Sequence, residues 1–231
     1  GGNILTVDGW FRCDATTAAF RRVISKMFGT SQGWVVDVDS LDRVRFHLDL
    51  ATTDATAYGP TGIDPRDGKW HHFAAYYDDT TKTARVALDG QWGSADVGAG
   101  AYQTDAAGDL LIGRRSDNVQ FWDGAIGWLR LSDNDRHTAG TDFIPPREFP
   151  GADGNTVEAW SLNDGTGGTA AAQVTSPGND GTITAGVWEQ QWDDVLTPVY
   201  PTSLEFDGAA TLINCGSAAD IDNLAAGANG F

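Results

Sequence analysis

Apolar and polar residues alternate strictly along residues 43–50 (RVRFHLDL): Val44, Phe46, Leu48 and Leu50 fall on one side, Arg43, Arg45, His47 and Asp49 on the other. A period of two over eight residues predicts a β-strand with one face in a core and the other in water. Val35, Val36 and Val38 precede it after Gly33, and residues 39–42 (DSLD) offer turn residues for a hairpin. A second pair is predicted at residues 70–77 (WHHFAAYY) and 82–89 (KTARVALD), followed by the left-handed turn dipeptide Asp89-Gly90. Further strands are readable at the start of the chain and at residues 109–113, 125–132, 157–162, 182–188, 203–207 and 210–214. One segment dissents. Phe20, Val23, Ile24 and Met27 lie at helical spacing within residues 15–28, which by period alone predicts a short amphipathic helix. Residues 138–154 and 189–202, rich in Pro and Gly or carrying Pro198 and Pro201, read as loops.

Many short strands separated by turn signals predict a two-sheet antiparallel sandwich. Composition agrees: 29 glycines and 9 tryptophans stand against one methionine, a profile of strands and tight turns. At 231 residues the expectation is one all-β domain. A net charge of −17 repels nucleic acid and anionic lipid and suits a neutral or cationic ligand or a divalent metal. No apolar run approaches the ~20 residues that cross a bilayer, and no basic, apolar, small-residue signal opens the chain.

Five blocks then carry a resemblance. Residues 67–78 (DGKWHHFAAYYD) with 84–90 (ARVALDG), 112–114 (IGR), 121–131 (FWDGAIGWLRL), 159–167 (AWSLNDGTG) with 179–183 (NDGTI), and 204–208 (LEFDG) resemble the laminin-G-like and pentraxin branch of the concanavalin A-like lectin/glucanase superfamily. The resemblance implies an all-β, two-sheet antiparallel jelly-roll sandwich, and a strand rather than a helix at Arg22-Val23-Ile24-Ser25-Lys26. The order of the blocks is displaced, since the family's opening blocks come last here. The expected layout is therefore a single domain over residues 1–231 with circularly permuted strand order, or one frame of a longer array. Its body is residues 1–137, its loop 138–154, and the family's first strands come from 155–231. The strands of residues 203–231 should lie beside residues 1–13. Cys13 and Cys215 fall in those two segments, so a disulfide between them is an expectation in an oxidising compartment.

Some relatives are glycoside hydrolases, which need two carboxylates ~5 Å apart on one face. No acid cluster of that kind occurs, Asp37 and Asp39 lack a neighbouring Glu, and there is no nucleophile elbow, zinc-helix motif or phosphate loop. The expectation is no enzyme activity. Adjacent strand residues point to opposite faces, so His71 and His72 cannot both ligate one ion and are assigned to packing. Sugar recognition calls for an aromatic platform with amides and carboxylates. The candidates are Trp92, Trp122 with Asp123, Tyr58 and Tyr102, and the polar loop of Arg114, Arg115, Asp117 and Asn118. Calcium, which takes oxygen ligands, is the metal the resemblance implies, at Asn163, Asp164 and Asp207. The functional expectation is a non-catalytic extracellular, lectin-like adhesion module that binds glycan. Its rival is a structural surface subunit, such as a virion decoration, tail-fibre or filament protein, assembling with copies of itself by strand exchange.

Overall fold

The computed structural model describes residues 3–16, 19–27, 32–106, 108–174, 179–190 and 202–216. In chain order the strands are β1 (Ile4–Cys13), β2 (Arg21–Met27), β3 (Gly33–Val38), β4 (Val44–Leu48), β5 (Ala55–Tyr58), β6 (Trp70–Asp78), β7 (Thr83–Leu88), β8 (Gln91–Trp92) and β9 (Asp96–Val97). They continue with β10 (Leu111–Ile112), β11 (Asp123–Ser132), β12 (Thr156–Trp160), β13 (Thr169–Ala170), β14 (Gly181–Thr184), β15 (Val187–Gln190), β16 (Thr202–Asp207) and β17 (Leu212–Asn214). The first sheet runs β15-β16-β11-β1-β6-β7-β8, with β12 also on β11 and β9 also on β7. The second runs β13-β14-β17-β10-β2-β3-β4-β5. All pairings are antiparallel, and the two sheets form the jelly-roll sandwich.

Alternation sorts the side chains. Val44, Phe46 and Leu48 of β4 are fully or almost fully buried and join Phe11, Trp34, Phe73, Trp122, Trp160 and Phe206 in the core between the sheets. The helical spacing around Val23 has a different origin. The pairing of β2 with β3 shifts register between Arg22 and Ile24, so Val23 is a bulge residue. Val23 and Ile24 therefore both enter the core, while Phe20 and Met27 line the other face. Gly33 opens β3 at φ +105°, with a Cβ there set 1.8 Å from the Lys26 carbonyl oxygen; only glycine fits that approach.

Residues 182–188, read as one strand, are two strands in different sheets, β14 and β15, broken at Ala185 (φ 57°). β16 and β17 likewise belong to different sheets. β16 pairs with residues 123–126 of β11 and β12 with residues 129–132, so both flank the edge of β11 opposite β1. Residues 217–231, the rest of the tail expected beside the front of the chain, lie outside the described residues. No disulfide joins the two cysteines, which corrects that expectation: Cys13 ends a strand of the first sheet, Cys215 follows β17 in the second, and both are free and buried.

The stretch after β11 is a strap across the outer face of the first sheet. Trp10 donates its indole N–H to the Pro146 carbonyl at 2.8 Å, Phe149 packs on Trp128, and Phe143 stacks on His137 at 4.1 Å. Beneath it Asp8, fully buried, accepts hydrogen bonds from Arg130 at 2.7 Å and His137 at 2.9 Å. Burial alone would raise its pKa, but those bonds lower it.

Candidate functional site

The outer face of the second sheet is built by the polar half of the same alternation. Arg22 on β2, Asp37 on β3 and Arg45 on β4 stand directly opposite one another, and Tyr58 on β5 continues the row. Asp37 is fully buried and carries both guanidiniums: Arg45 Nε and a terminal nitrogen at 2.9 and 2.7 Å, and Arg22 through a terminal nitrogen. The next row reads Ser25, Val35, His47, Thr56. Burial depresses the Arg22 guanidinium to about 10 despite the attraction of Asp37.

Above this row lies a cavity of about 210 Å³ lined by Phe20, Arg22, Met27, Arg45, His47, Arg115 and Gln120. Arg45 sits over the Phe20 ring at 4.7 Å, a cation–π contact that fixes both. Two polar atoms at its wall, Arg22 Nε and Gln120 Oε1, are buried without a hydrogen-bond partner, which leaves a donor and an acceptor for a guest. Arg115 is held by Asp117 at 2.7 and 2.5 Å, and that contact lowers the Asp117 pKa. The cavity thus sets three guanidiniums against two carboxylates. Its volume is below that of sites for drug-sized ligands and suits one small ring.

The turn of residues 114–120 is pinned onto β2: Ser25 Oγ donates to the Arg114 carbonyl and Ser116 Oγ to that of Met27, both at 3.2 Å. It supplies Arg115 and Gln120 to the cavity, and Arg114 to an open groove of about 790 Å³ on the same sheet. That groove is lined by Asn179, Asp180, Thr182, Thr184 and Asn214 among others, amides, hydroxyls and one carboxylate that can exchange hydrogen bonds with a polyol.

The sequence candidates separate in the structure. Arg114 and Arg115 reach the two depressions, and Asp117 and Asn118 act one step back: Asp117 holds Arg115 and Asn118 accepts from Arg114. Trp122 is not an exposed platform: it is fully buried and meets Phe11 edge-on at 5.1 Å, because it continues the core-facing alternation into β11. Its neighbour Asp123 opens β11 opposite Asp207. Trp92 is half-buried and engaged by the strap, its indole N–H donating to the Thr141 carbonyl at 3.0 Å. The Tyr58 ring lies under Arg43 at 3.8 Å, and Tyr102 bridges to Leu50. Phe20, Arg22, Asp37, Arg45, His47 and Gln120 were not singled out from sequence as ligand contacts; the odd positions of residues 43–50 were the signal available.

The residues expected to hold calcium each engage a donor of their own loop. Asp207 Oδ1 accepts three amides and the Thr211 hydroxyl of its own turn, which hold its pKa at about 2. Asp164 accepts from the Ala171 N–H and Asn163 from the Ser161 hydroxyl. One oxygen of each side chain is thereby engaged locally. Among the described residues, acidic and histidine groups converge elsewhere, as Asp8–His72–His137 and as His47–Asp49–Asp54.

A family model for the concanavalin A-like lectin/glucanases superfamily, Laminin_G_3, matches residues 1–139. No curated protein sequence matches the chain. Among solved structures, a putative carbohydrate binding protein from Bacteroides ovatus is 13% identical over 91% of this chain and 53% of its own, with a TM-score of 0.50; this likeness is one of fold. The SAP-like pentraxin of Limulus polyphemus aligns at 16% identity over 56% of this chain and 64% of its own, TM-score 0.42. Mouse laminin α1 domains LG4-5 align at 14% identity over 94% and 72%, TM-score 0.43. The chain thus spans less than two thirds of the first two structures' length.

Proposed function

The chain belongs to the concanavalin A-like lectin/glucanases superfamily, and from that premise we propose that it is a non-catalytic, extracellular carbohydrate-recognition module whose sugar sits on the outer face of the second sheet. The observation that carries the reading is the pair of polar depressions flanking one pinned turn: a ring-sized cavity walled by Phe20 and arginines, and a groove of amides, hydroxyls and the Asp180 carboxylate. Their guanidiniums are already oriented by Asp37, Asp117 and Asn118, which lowers the ordering cost of binding. The excess guanidinium in the cavity favours a ring that bears a carboxylate or sulfate.

Two of the glutamates are taken up by structural contacts, which supports the non-catalytic reading. Glu158 is fully buried and accepts from the Asn179 backbone and side-chain amides at 2.8 and 2.9 Å, and Glu205 pairs with Arg12 at 3.1 Å. No helix among the described residues is long and apolar enough to cross a membrane.

A glycan array spanning neutral, uronate-bearing and sulfated sugars tests the proposal, with Arg115→Ala and Arg114→Ala as surface variants that leave the core untouched. Binding that weakens at least ~10-fold in Arg115→Ala, an effect on the scale of one charge-assisted hydrogen bond, supports the site. Binding unaffected by both variants, or no binding on the array, refutes it.

A further inference from the structure

Two groups of potential metal ligands exist among the described residues, and charge separates them. Asp8, with His72 and His137, is already neutralised by the bidentate Arg130, so adding a dication there places uncompensated charge in a dry interior. His47, Asp49 and Asp54 differ. With a neutral imidazole they carry two negative charges, and one ligand atom from each lies within 4.8 Å of the others. The neighbouring cation on that face, Arg45, is taken by Asp37.

Two further observations point to a guest. Asp49 is 6% exposed, yet its Oδ2 is buried with no hydrogen-bond partner, a costly state for a carboxylate oxygen. His47 Nδ1 is engaged by the Thr56 hydroxyl at 2.8 Å, and Nε2 faces Asp49 Oδ1 at 3.4 Å, too long for a good hydrogen bond. When Nδ1–H donates to Thr56, Nε2 turns a lone pair toward carboxylates. That arrangement is repulsive until a cation sits between them, and it is the orientation that outer-shell hydrogen bonds impose on metal-bound histidines.

From this juxtaposition we infer that His47 Nε2, Asp49 and Asp54 form a binding site for a divalent transition metal of the zinc type, at the β4–β5 turn where His47 also lines the cavity. One imidazole and two carboxylates match zinc rather than calcium, which takes oxygen ligands. Tetrahedral ligands at zinc bond lengths stand about 3.3 Å apart. The remaining closure falls to Asp54, an exposed residue whose Oδ1 accepts the Leu50 N–H at 3.0 Å, which leaves Oδ2 as its oxygen for the ion. Three protein ligands leave a position for water or a hydroxyl.

The test uses untagged full chain dialysed against EDTA and titrated with Zn2+ by calorimetry, and with Co2+ by visible absorption. The expected result is one micromolar or tighter site, with tetrahedral Co2+ bands. Asp54→Asn, at an exposed position, and Asp49→Asn should each weaken binding at least ~10-fold. Thr56→Val should weaken it ~10–100-fold through the lost Nδ1 partner. His137→Gln should leave it unchanged, and millimolar Ca2+ should not compete. Absence of Zn2+ binding below millimolar, full binding in the Asp49→Asn/Asp54→Asn double variant, or loss in His137→Gln would each overturn the site.

Discussion

Asp37→Asn is the sharpest probe of the cross-strand row. The carboxylate is fully buried, its partners Arg22 and Arg45 are 5% and 15% exposed, and asparagine keeps the shape while turning one acceptor into a donor aimed at a guanidinium. Two cations then share a buried face without their counter-ion. Breaking one partner of a buried pair costs about 3–5 kcal/mol. At about 2–4 °C per kcal/mol for a domain of this size, Tm should fall by about 6–20 °C. The comparison is Asp117→Asn, whose partner contact is largely exposed and should cost at most about 1 kcal/mol. Adding Arg22→Met to Asp37→Asn removes one of the two stranded charges, so the double variant should be more stable than the sum of the singles by about 0.5–3 kcal/mol. Differential scanning calorimetry reads the parent, the three single variants and the double variant. A Tm for Asp37→Asn within 2 °C of Asp117→Asn, or strict additivity in the cycle, would show that the row is not coupled through Asp37.

Burial holds the His72 imidazole at about 3, below its unfolded value of ~6.5, so the unfolded chain takes up the proton first. Stability should therefore fall as pH drops from ~6.5 toward ~3, by up to about 5 kcal/mol, with Asp8 adding a further loss as its depressed pKa is crossed. Denaturant unfolding of His72→Gln should show a flatter profile in that window, and a slope equal to the parent's refutes the assignment. Both thiols are buried, Cys13 pushed up to about 11 and Cys215 also raised by burial. Ellman's reagent should label neither in the native protein and two per chain in denaturant; rapid native labelling contradicts the packing. Trp122→Ala should cost about 3–5 kcal/mol in urea melts yet leave glycan affinity intact where folded, and loss of binding without loss of stability would return Trp122 to the ligand site.

What the sequence made legible follows from the range of the interactions involved. The alternation of residues 43–50 is set by neighbours two apart, so β4 and its buried face could be read directly, and the WHH strand with its partner hairpin came out as β6 and β7. The bulge at Val23 defeats period reading, because one inserted residue turns the spacing of Phe20, Val23, Ile24 and Met27 into a helical one. Trp122 looked like a platform from its polar neighbours, whereas its exposure depends on Phe11, over a hundred residues away. The cavity is non-local in the same way: Arg22, Asp37, Arg45 and Arg115 meet through strand register and a turn, and no short window contains them. The odd positions Arg45, His47 and Asp49 did announce a polar face. Its cavity became visible once β2, β3 and the turn of residues 114–120 were laid against it.

A cavity with excess guanidinium in a chain of net charge −17 has a measurable consequence for an anionic sugar. On a sphere of about 20 Å radius, seventeen charges repel an incoming monoanion by about 2 kcal/mol at 0.01 M salt, where the Debye length is ~30 Å. At 0.15 M, where it is ~8 Å, the repulsion falls to about 1 kcal/mol. The attraction from Arg22, Arg45 and Arg115 acts at contact, partly out of water, and is screened far less. Raising salt should therefore tighten binding of a uronate-bearing or sulfated glycan by about 6-fold, opposite to the usual weakening of an ion pair, while a neutral counterpart of the same glycan stays constant. Calorimetric titrations of both sugars at the two salt concentrations separate these terms. An anionic sugar that binds more weakly at 0.15 M would mean that local pairing outweighs the global field, and a neutral sugar that tracks it would mean that charge at the arginines plays no part in recognition.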